Sequence, residues 1–411
     1  MSFFHLFSFL IVLSAFFAYL NFRYLKLPNA IGLMLVSLVF SLLILLTGNL
    51  IPEFKSEIAT QLNQINFSDL LLESMLSFML FAGAIHIKFK DLNQEKLSIL
   101  LFSTISVLVS TFLVGIASFY VLSFFGMQID FIQCLLFGSL ISPTDPIAVL
   151  SILKSAGVSK SLETKIAGES LFNDGVAVVV FITILQLAKS NQGFDLGNVL
   201  LLFSQEALGG LLLGLLVGYI GFKLIASIDN YQVEVLITLA VVMGGYTMAH
   251  FIHVSGPLAM VVAGLIIGNH GKALGMSDIT AEYVDKFWEL LDEILNAILF
   301  VLIGLELLVI QYNHYVIIAA LVILFLSLLI RYFSVWLPSL AIRFKERIDR
   351  KTLFILTWGG LRGGISIALA LSIPKAFNNE IWVTITYIIV CFSILVQGNT
   401  IGLLTKKLKE K

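Results

Sequence analysis

Long apolar runs alternate with short polar segments along nearly the whole chain. Crossing the ~30 Å hydrocarbon core of a bilayer takes roughly 17–25 mostly apolar helical residues. The pattern predicts thirteen such helices, at roughly 4–22, 30–47, 68–87, 98–125, 131–153, 164–188, 198–225, 232–252, 255–269, 294–310, 315–340, 352–373 and 381–404. These runs are far longer than the ~10 alternating residues of a membrane barrel strand. The expected fold class is therefore an all-α polytopic membrane protein. One stretch departs from the pattern. Lys272 to Glu293 is polar and carries Asp278, Glu282, Asp285, Glu289, Asp292 and Glu293 among Phe287, Trp288, Leu290 and Leu291. It reads as an amphipathic surface helix, or more sharply as a cytoplasmic acidic face that senses cations or pH.

Composition agrees: 59% of residues are hydrophobic and 12% charged, against about 25% charged in soluble domains. A net charge of −1 leaves no footprint for nucleic acid. Cys134 and Cys391 lie in separate apolar segments and imply neither a metal motif nor a disulfide framework. His250 and His253, with no carboxylate or cysteine beside them, read as a helix-end pair. The first apolar run has no Lys or Arg before it, so it is expected to stay as a helix rather than be cleaved as a signal peptide. With the N-terminus outside, only Lys55, Lys189 and Lys375 fall in outer segments. The other loop lysines and arginines fall inside, which places the C-terminus in the cytoplasm.

A charge at the centre of a membrane helix costs roughly 2.5–3.5 kcal/mol even on lenient scales, so polar residues there face a partner, a cavity or an ion. Three places stand out. Span 5 holds Ser142-Pro143-Thr144-Asp145-Pro146, where two prolines should break the helix and free carbonyls for a cation or water. Span 6 holds Gly168-Glu169-Ser170-Leu171-Phe172-Asn173-Asp174-Gly175, with Glu169, Asn173 and Asp174 broadly on one side. Span 12 holds Trp358-Gly359-Gly360-Leu361-Arg362-Gly363-Gly364, an interrupted helix or a site of very close packing. Arg362 needs a carboxylate at that depth. Glu169 is the expected partner, which leaves Asp145 and Asp174 for chemistry.

Spans 1–6 and 8–13 form two six-helix repeats of inverted topology, with span 7 as linker. The broken spans 5 and 12 are each fifth in their repeat. Paired interruptions of this kind are the best sequence pointer to a secondary transporter's site. Polar residues that merely glue helices together are the competing reading, and three such motifs at once weigh against it. An enzyme is not expected, because no nucleophile–base pair accompanies Ser170.

These motifs resemble those of NhaP-type sodium/proton antiporters, the branch of the monovalent cation/proton antiporters that includes the animal sodium/hydrogen exchangers. Ser255-Gly256-Pro257-Leu258-Ala259 and Ile303-Gly304-Leu305-Glu306 resemble family segments too, and the likeness runs over about residues 5–405. The resemblance implies a homodimer in the cell (plasma or inner) membrane. Residues 1–96 (helices 1–3) and 191–310 (linker helix 7 and helices 8–10) would lie on the dimerisation side. Residues 97–190 (helices 4–6) and 311–405 (helices 11–13) would form the ion-carrying core, and 406–411 a short cytoplasmic tail. It implies Na+ held at Asp174, Asp145, Ser170 and Thr144, with Asn173 steadying the unwound chain and Glu169–Arg362 as a structural ion pair. No cofactor is implied beyond the transported Na+ or Li+ and H+. Many relatives carry an acidic residue where this chain has Ala82, and Glu73 lies over two turns away.

The implied mechanism is alternating access, with cation and proton competing for Asp174. Asn173 replaces one of the paired aspartates of electrogenic relatives, which implies electroneutral one-for-one exchange. A K+/H+ or NH4+/H+ antiporter, or a cation-gated channel or sensor, would use the same skeleton.

Overall fold

The computed structural model describes residues 3–47, 70–145, 149–150, 152–153, 157–189, 196–308, 310, 313–342 and 349–410. Its order is α1 (Phe3–Leu20), α2 (Asn29–Thr47), α3 (Leu76–Ile85), α4 (Phe89–Ser103), α5 (Ile105–Phe124), α6 (Phe131–Ile141), α7 (Lys160–Lys189), α8 (Leu196–Ile225), α9 (Tyr231–Phe251), α10 (Gly256–Ile266), α11 (Asp278–Glu306), α12 (His314–Ile342), α13 (Arg350–Trp358), α14 (Gly364–Ser372), α15 (Asn379–Phe392) and α16 (Gly398–Glu410). Among the described residues, nine helices are long and apolar enough to cross a membrane, and α3 and α6 are shorter apolar helices. Short π-helical turns lie at Leu70–Met75 before α3 and at Ser393–Gln397 between α15 and α16. The all-α expectation holds.

Two boundaries differ from the sequence expectation. Span 4 begins earlier, as α4, and bends at Thr104, whose hydroxyl donates to the Leu100 carbonyl at 2.5 Å. Side-chain back-bonding of this kind bends helices. The acidic stretch is not a separate surface helix: it is the first half of α11, continuous with the apolar span that follows. It is amphipathic as expected. Glu282, Lys286, Glu289 and Glu293 are exposed, while Val284 and Trp288 are fully buried. The Trp288 indole donates to Thr238 Oγ1 at 3.0 Å and its ring lies against Phe81. His250 and His253 sit at the end of α9.

Lipid-facing helices pack through small residues that let backbones approach closely. A Cβ on Gly138 of α6 would lie 2.1 Å from the Thr111 carbonyl oxygen of α5. Gly138→Ala is therefore expected to destabilise the purified protein by about 1–3 kcal/mol through overpacking, read as a lower melting temperature. Gly244→Ala, which meets nothing within 4 Å, is the matched control and should leave it unchanged.

Candidate ion-binding site

Both expected interruptions are present, and they meet. α6 stops at Ile141 because Pro143 cannot continue the ladder. The chain then runs through Ser142, Pro143 and Thr144 without helical structure. Pro146, the second proline of the motif, lies outside the described residues. On the other side the chain leaves α13 at Trp358 and re-enters helix at Gly364. The two breaks touch through an isolated antiparallel bridge between Asp145 and Leu361, with Asp145 N–H donating to Leu361 O at 2.8 Å. Glycine is required here for approach rather than for torsion. A Cβ on Gly363 would sit 2.2 Å from Asp145 Oδ2, and one on Gly360 would sit 2.8 Å from Arg331 Nε. Asp145 thus lies at the start of α14, where the helix dipole favours negative charge.

α7 passes beside this crossing. Asn173, fully buried, grips Thr144 from both sides. Its Nδ2 donates to Thr144 Oγ1 at 2.9 Å, and its Oδ1 accepts from Thr144 N–H at 3.4 Å. Thr144 Oγ1 also shares a hydrogen bond with Ser170 Oγ at 3.0 Å. Asp174, one turn beyond Ser170, is buried, and Asp145 and Asp174 lie in each other's field. Ser142 ties the break to α5 through Thr111, hydroxyl to hydroxyl at 3.1 Å. The structure thus brings Thr144, Asp145, Ser170, Asn173 and Asp174 together. Among the described residues no group of three or more His, Cys, Asp or Glu could hold a metal ion. The oxygens on offer are hydroxyls, amide oxygens and two carboxylates, a hard donor set.

The expected Glu169–Arg362 pair does not form. Glu169 Oε1 accepts instead from Arg331 Nη2 of α12 at 2.5 Å, with both side chains 2% exposed. Arg362 turns back to close its own loop, donating from Nη1 to Gly360 O at 2.5 Å. Its backbone N–H donates to Ser393 Oγ at 2.8 Å. Ser393 in turn donates to Gln397 Oε1 at 2.8 Å, and Gln397 Nε2 donates to Trp358 O at 3.0 Å. The π-helical turn Ser393–Gln397 therefore fastens both ends of the α13–α14 break, and π-bulges are frequent at functional sites. Sequence reasoning assigned no role to Arg331, Ser393 or Gln397. Arg331 did carry a signal, as the lone charge inside the apolar run His314–Ile342. Asp349 caps α13 by accepting from Thr352 N–H at 2.8 Å, and its hydrogen bonds to Thr352 hold its carboxyl below the usual range. Ala82 is buried in the cluster around Trp288, and the Glu73 side chain lies outside the described residues.

Crossed broken helices that carry buried carboxylates and guanidiniums define a multi-pass membrane ion carrier. The chain belongs to the sodium/hydrogen exchanger family, whose transmembrane model matches residues 12–407. It is 48% identical over 403 residues to the Na(+)/H(+) antiporter NhaP of Pseudomonas aeruginosa, covering 97% of this chain and 95% of that protein. It is 35% identical over 392 residues to the Na(+)/H(+) antiporter NhaH of Halobacillus dabanensis, covering 94% and 93%. The fold matches that of the sodium proton antiporter MjNhaP1 from Methanocaldococcus jannaschii at pH 8, with a TM-score of 0.77 and 21% identity over 98% of each chain.

Proposed function

We propose that the chain exchanges Na+ (or Li+) for H+ across the cell membrane, one for one, by alternating access. The observation that carries this reading is the charge at the crossing. Glu169, Asp174 and the half-buried Asp145 are opposed by Arg331 and Arg362, both buried. Three carboxylates against two guanidiniums leave one negative charge. Uncompensated buried charge is expensive, at several kcal/mol per ion even after relaxation. One proton on Asp174, or one Na+ beside it, makes the crossing neutral. The empty and the doubly loaded crossing both carry net charge and resist passage through the low-dielectric layer. Only the two singly loaded forms cross, which is exchange.

In this reading Asp174 is the carboxylate for which Na+ and H+ compete. Asp145, Ser170 and the backbone at Thr144 complete the oxygen set, and Asn173 holds the unwound chain in register. Helices α4–α7 and α12–α16 move as the ion-carrying core, and α1–α3 and α8–α11 provide the dimerisation side. The C-terminus faces the cytoplasm. The antiport activity follows what the relatives' names state of those proteins.

The test uses purified protein in liposomes with an interior pH dye. Na+ or Li+ added outside should drive proton movement, and a membrane potential clamped with K+ and valinomycin should leave the initial rate unchanged. A rate that scales with the clamped potential refutes one-for-one exchange. A response to K+ equal to that for Na+ refutes the Na+ assignment. Cation flux without proton movement points to a channel.

A further inference from the structure

We propose that Asp292 and Asn296 form a second, transient cation site on the path to the crossing, a station for Na+ or Li+ between the membrane surface and Asp145. This rests on the antiport reading above and adds a residue pair to it. Asp285, Asp292, Asn296 and Leu299 are spaced by seven, four and three residues, so they share one face of α11. From Asp285 to Asn296 this face spans about 16 Å at ~1.5 Å per residue.

Its two ends are fixed by contacts. At the outer end, Asp285 is 40% exposed, lies 3.3 Å from His86 Nδ1 and pairs with Lys272. At the inner end, Leu299 presses on the first residue of α14: a Cβ on Gly364 would lie 2.4 Å from Leu299 Cδ1. The neighbouring Gly363 abuts Asp145.

Asp292 and Asn296 occupy the middle, and one side-chain oxygen of each lacks a donor among the described residues. Asn296 is 6% exposed, and its Nδ2 donates to the Asp292 carbonyl at 2.9 Å. That bond fixes the amide and leaves Oδ1 as its free end. Asn296 Oδ1 and Asp292 Oδ1 are both buried without a hydrogen-bond donor among the described residues. A buried acceptor left without a donor is destabilising, and here two such oxygens lie one turn apart. The charged groups that act on Asp292 are Asp145, His86 and Glu293, and the Asn296 side chain also hydrogen-bonds to its carboxyl. The site thus lies within electrostatic reach of both ends of the track. Two hard oxygens, one of them from a carboxylate, suit a monovalent cation that is shedding water.

The test is the initial exchange rate against Na+ concentration for Asp292→Asn and Asn296→Ala, alongside binding of radioactive Na+ to detergent-solubilised protein. Both variants should raise the half-saturating Na+ several-fold while keeping the maximal rate close to wild type. Asp174→Asn protein should retain a weak Na+ binding that the Asp174→Asn/Asp292→Asn double variant loses. Unchanged half-saturation in both single variants overturns the site. So does a lower maximal rate at unchanged half-saturation, or identical Na+ binding by the Asp174→Asn and double-variant proteins. The binding experiment does not depend on exchange. A wild-type protein that moves no protons would therefore sink the antiport reading while this site is still judged by its own result.

Discussion

Asp174→Asn is expected to reduce Na+-driven proton movement to background while leaving expression and melting temperature near wild type. Asparagine keeps the size and the hydrogen-bonding oxygen but can neither ionise nor release a proton. The crossing then has two carboxylates against two guanidiniums and is neutral when empty, so it has no use for either cargo. The fold should tolerate the change because Asp174 is not the residue that holds the unwound chain. That task falls to the neighbouring Asn173, with its two bonds to Thr144. The measurement is the pH-dye assay in liposomes with matched protein content. Persistent exchange in Asp174→Asn would remove Asp174 from the mechanism.

Glu169→Ala should instead damage the protein before it damages transport. Removing one partner of a buried ion pair leaves the other charge uncompensated, a loss of about 3–5 kcal/mol. The stranded group is Arg331, held at 2.5 Å by Glu169 with both side chains buried. Low yield and a lower melting temperature are expected. The double variant Glu169→Ala/Arg331→Met, which removes both charges and refills the space with an apolar stem, should recover much of the lost stability. A fully stable, fully active Glu169→Ala protein would falsify the pairing. Comparison with Glu169→Ala/Arg362→Met separates the two arginines, since only the Arg331 variant should rescue.

That distinction also marks the limit of what the sequence made legible. The two breaks could be read because proline and glycine act through the backbone of their own segment: Pro143 ends α6, and Gly360 and Gly363 make room for Arg331 and Asp145. The cluster on α7 could be read because Glu169, Ser170, Asn173 and Asp174 share a helix whose period is known. Which arginine meets Glu169 is a question about the lateral order of helices, and spacing along the chain does not encode that. Arg331 and Arg362 lie on different elements, and only packing decides between them. The same holds for α11. Its acidic half was correctly read as amphipathic, yet the burial of Trp288 depends on α3 and α9 closing over it. The support from Ser393 and Gln397 was invisible because it depends on a π-helical turn, which shifts side chains off the face that a 3.6-residue period assigns them.

The hydrogen bond between Asp145 and Leu361 has a consequence for how such a protein can change over generations. The two interruptions come from opposite halves of the chain, yet neither has a shape of its own. Gly363 is bare because Asp145 stands over it, and a Cβ on Gly360 would lie 3.1 Å from Thr144 Cγ2. A substitution that adds bulk to one segment obliges the other to retreat, so tolerated changes should arrive in matched pairs drawn from both halves. The crossing is inherited as a single unit, although the gene writes it in two distant places.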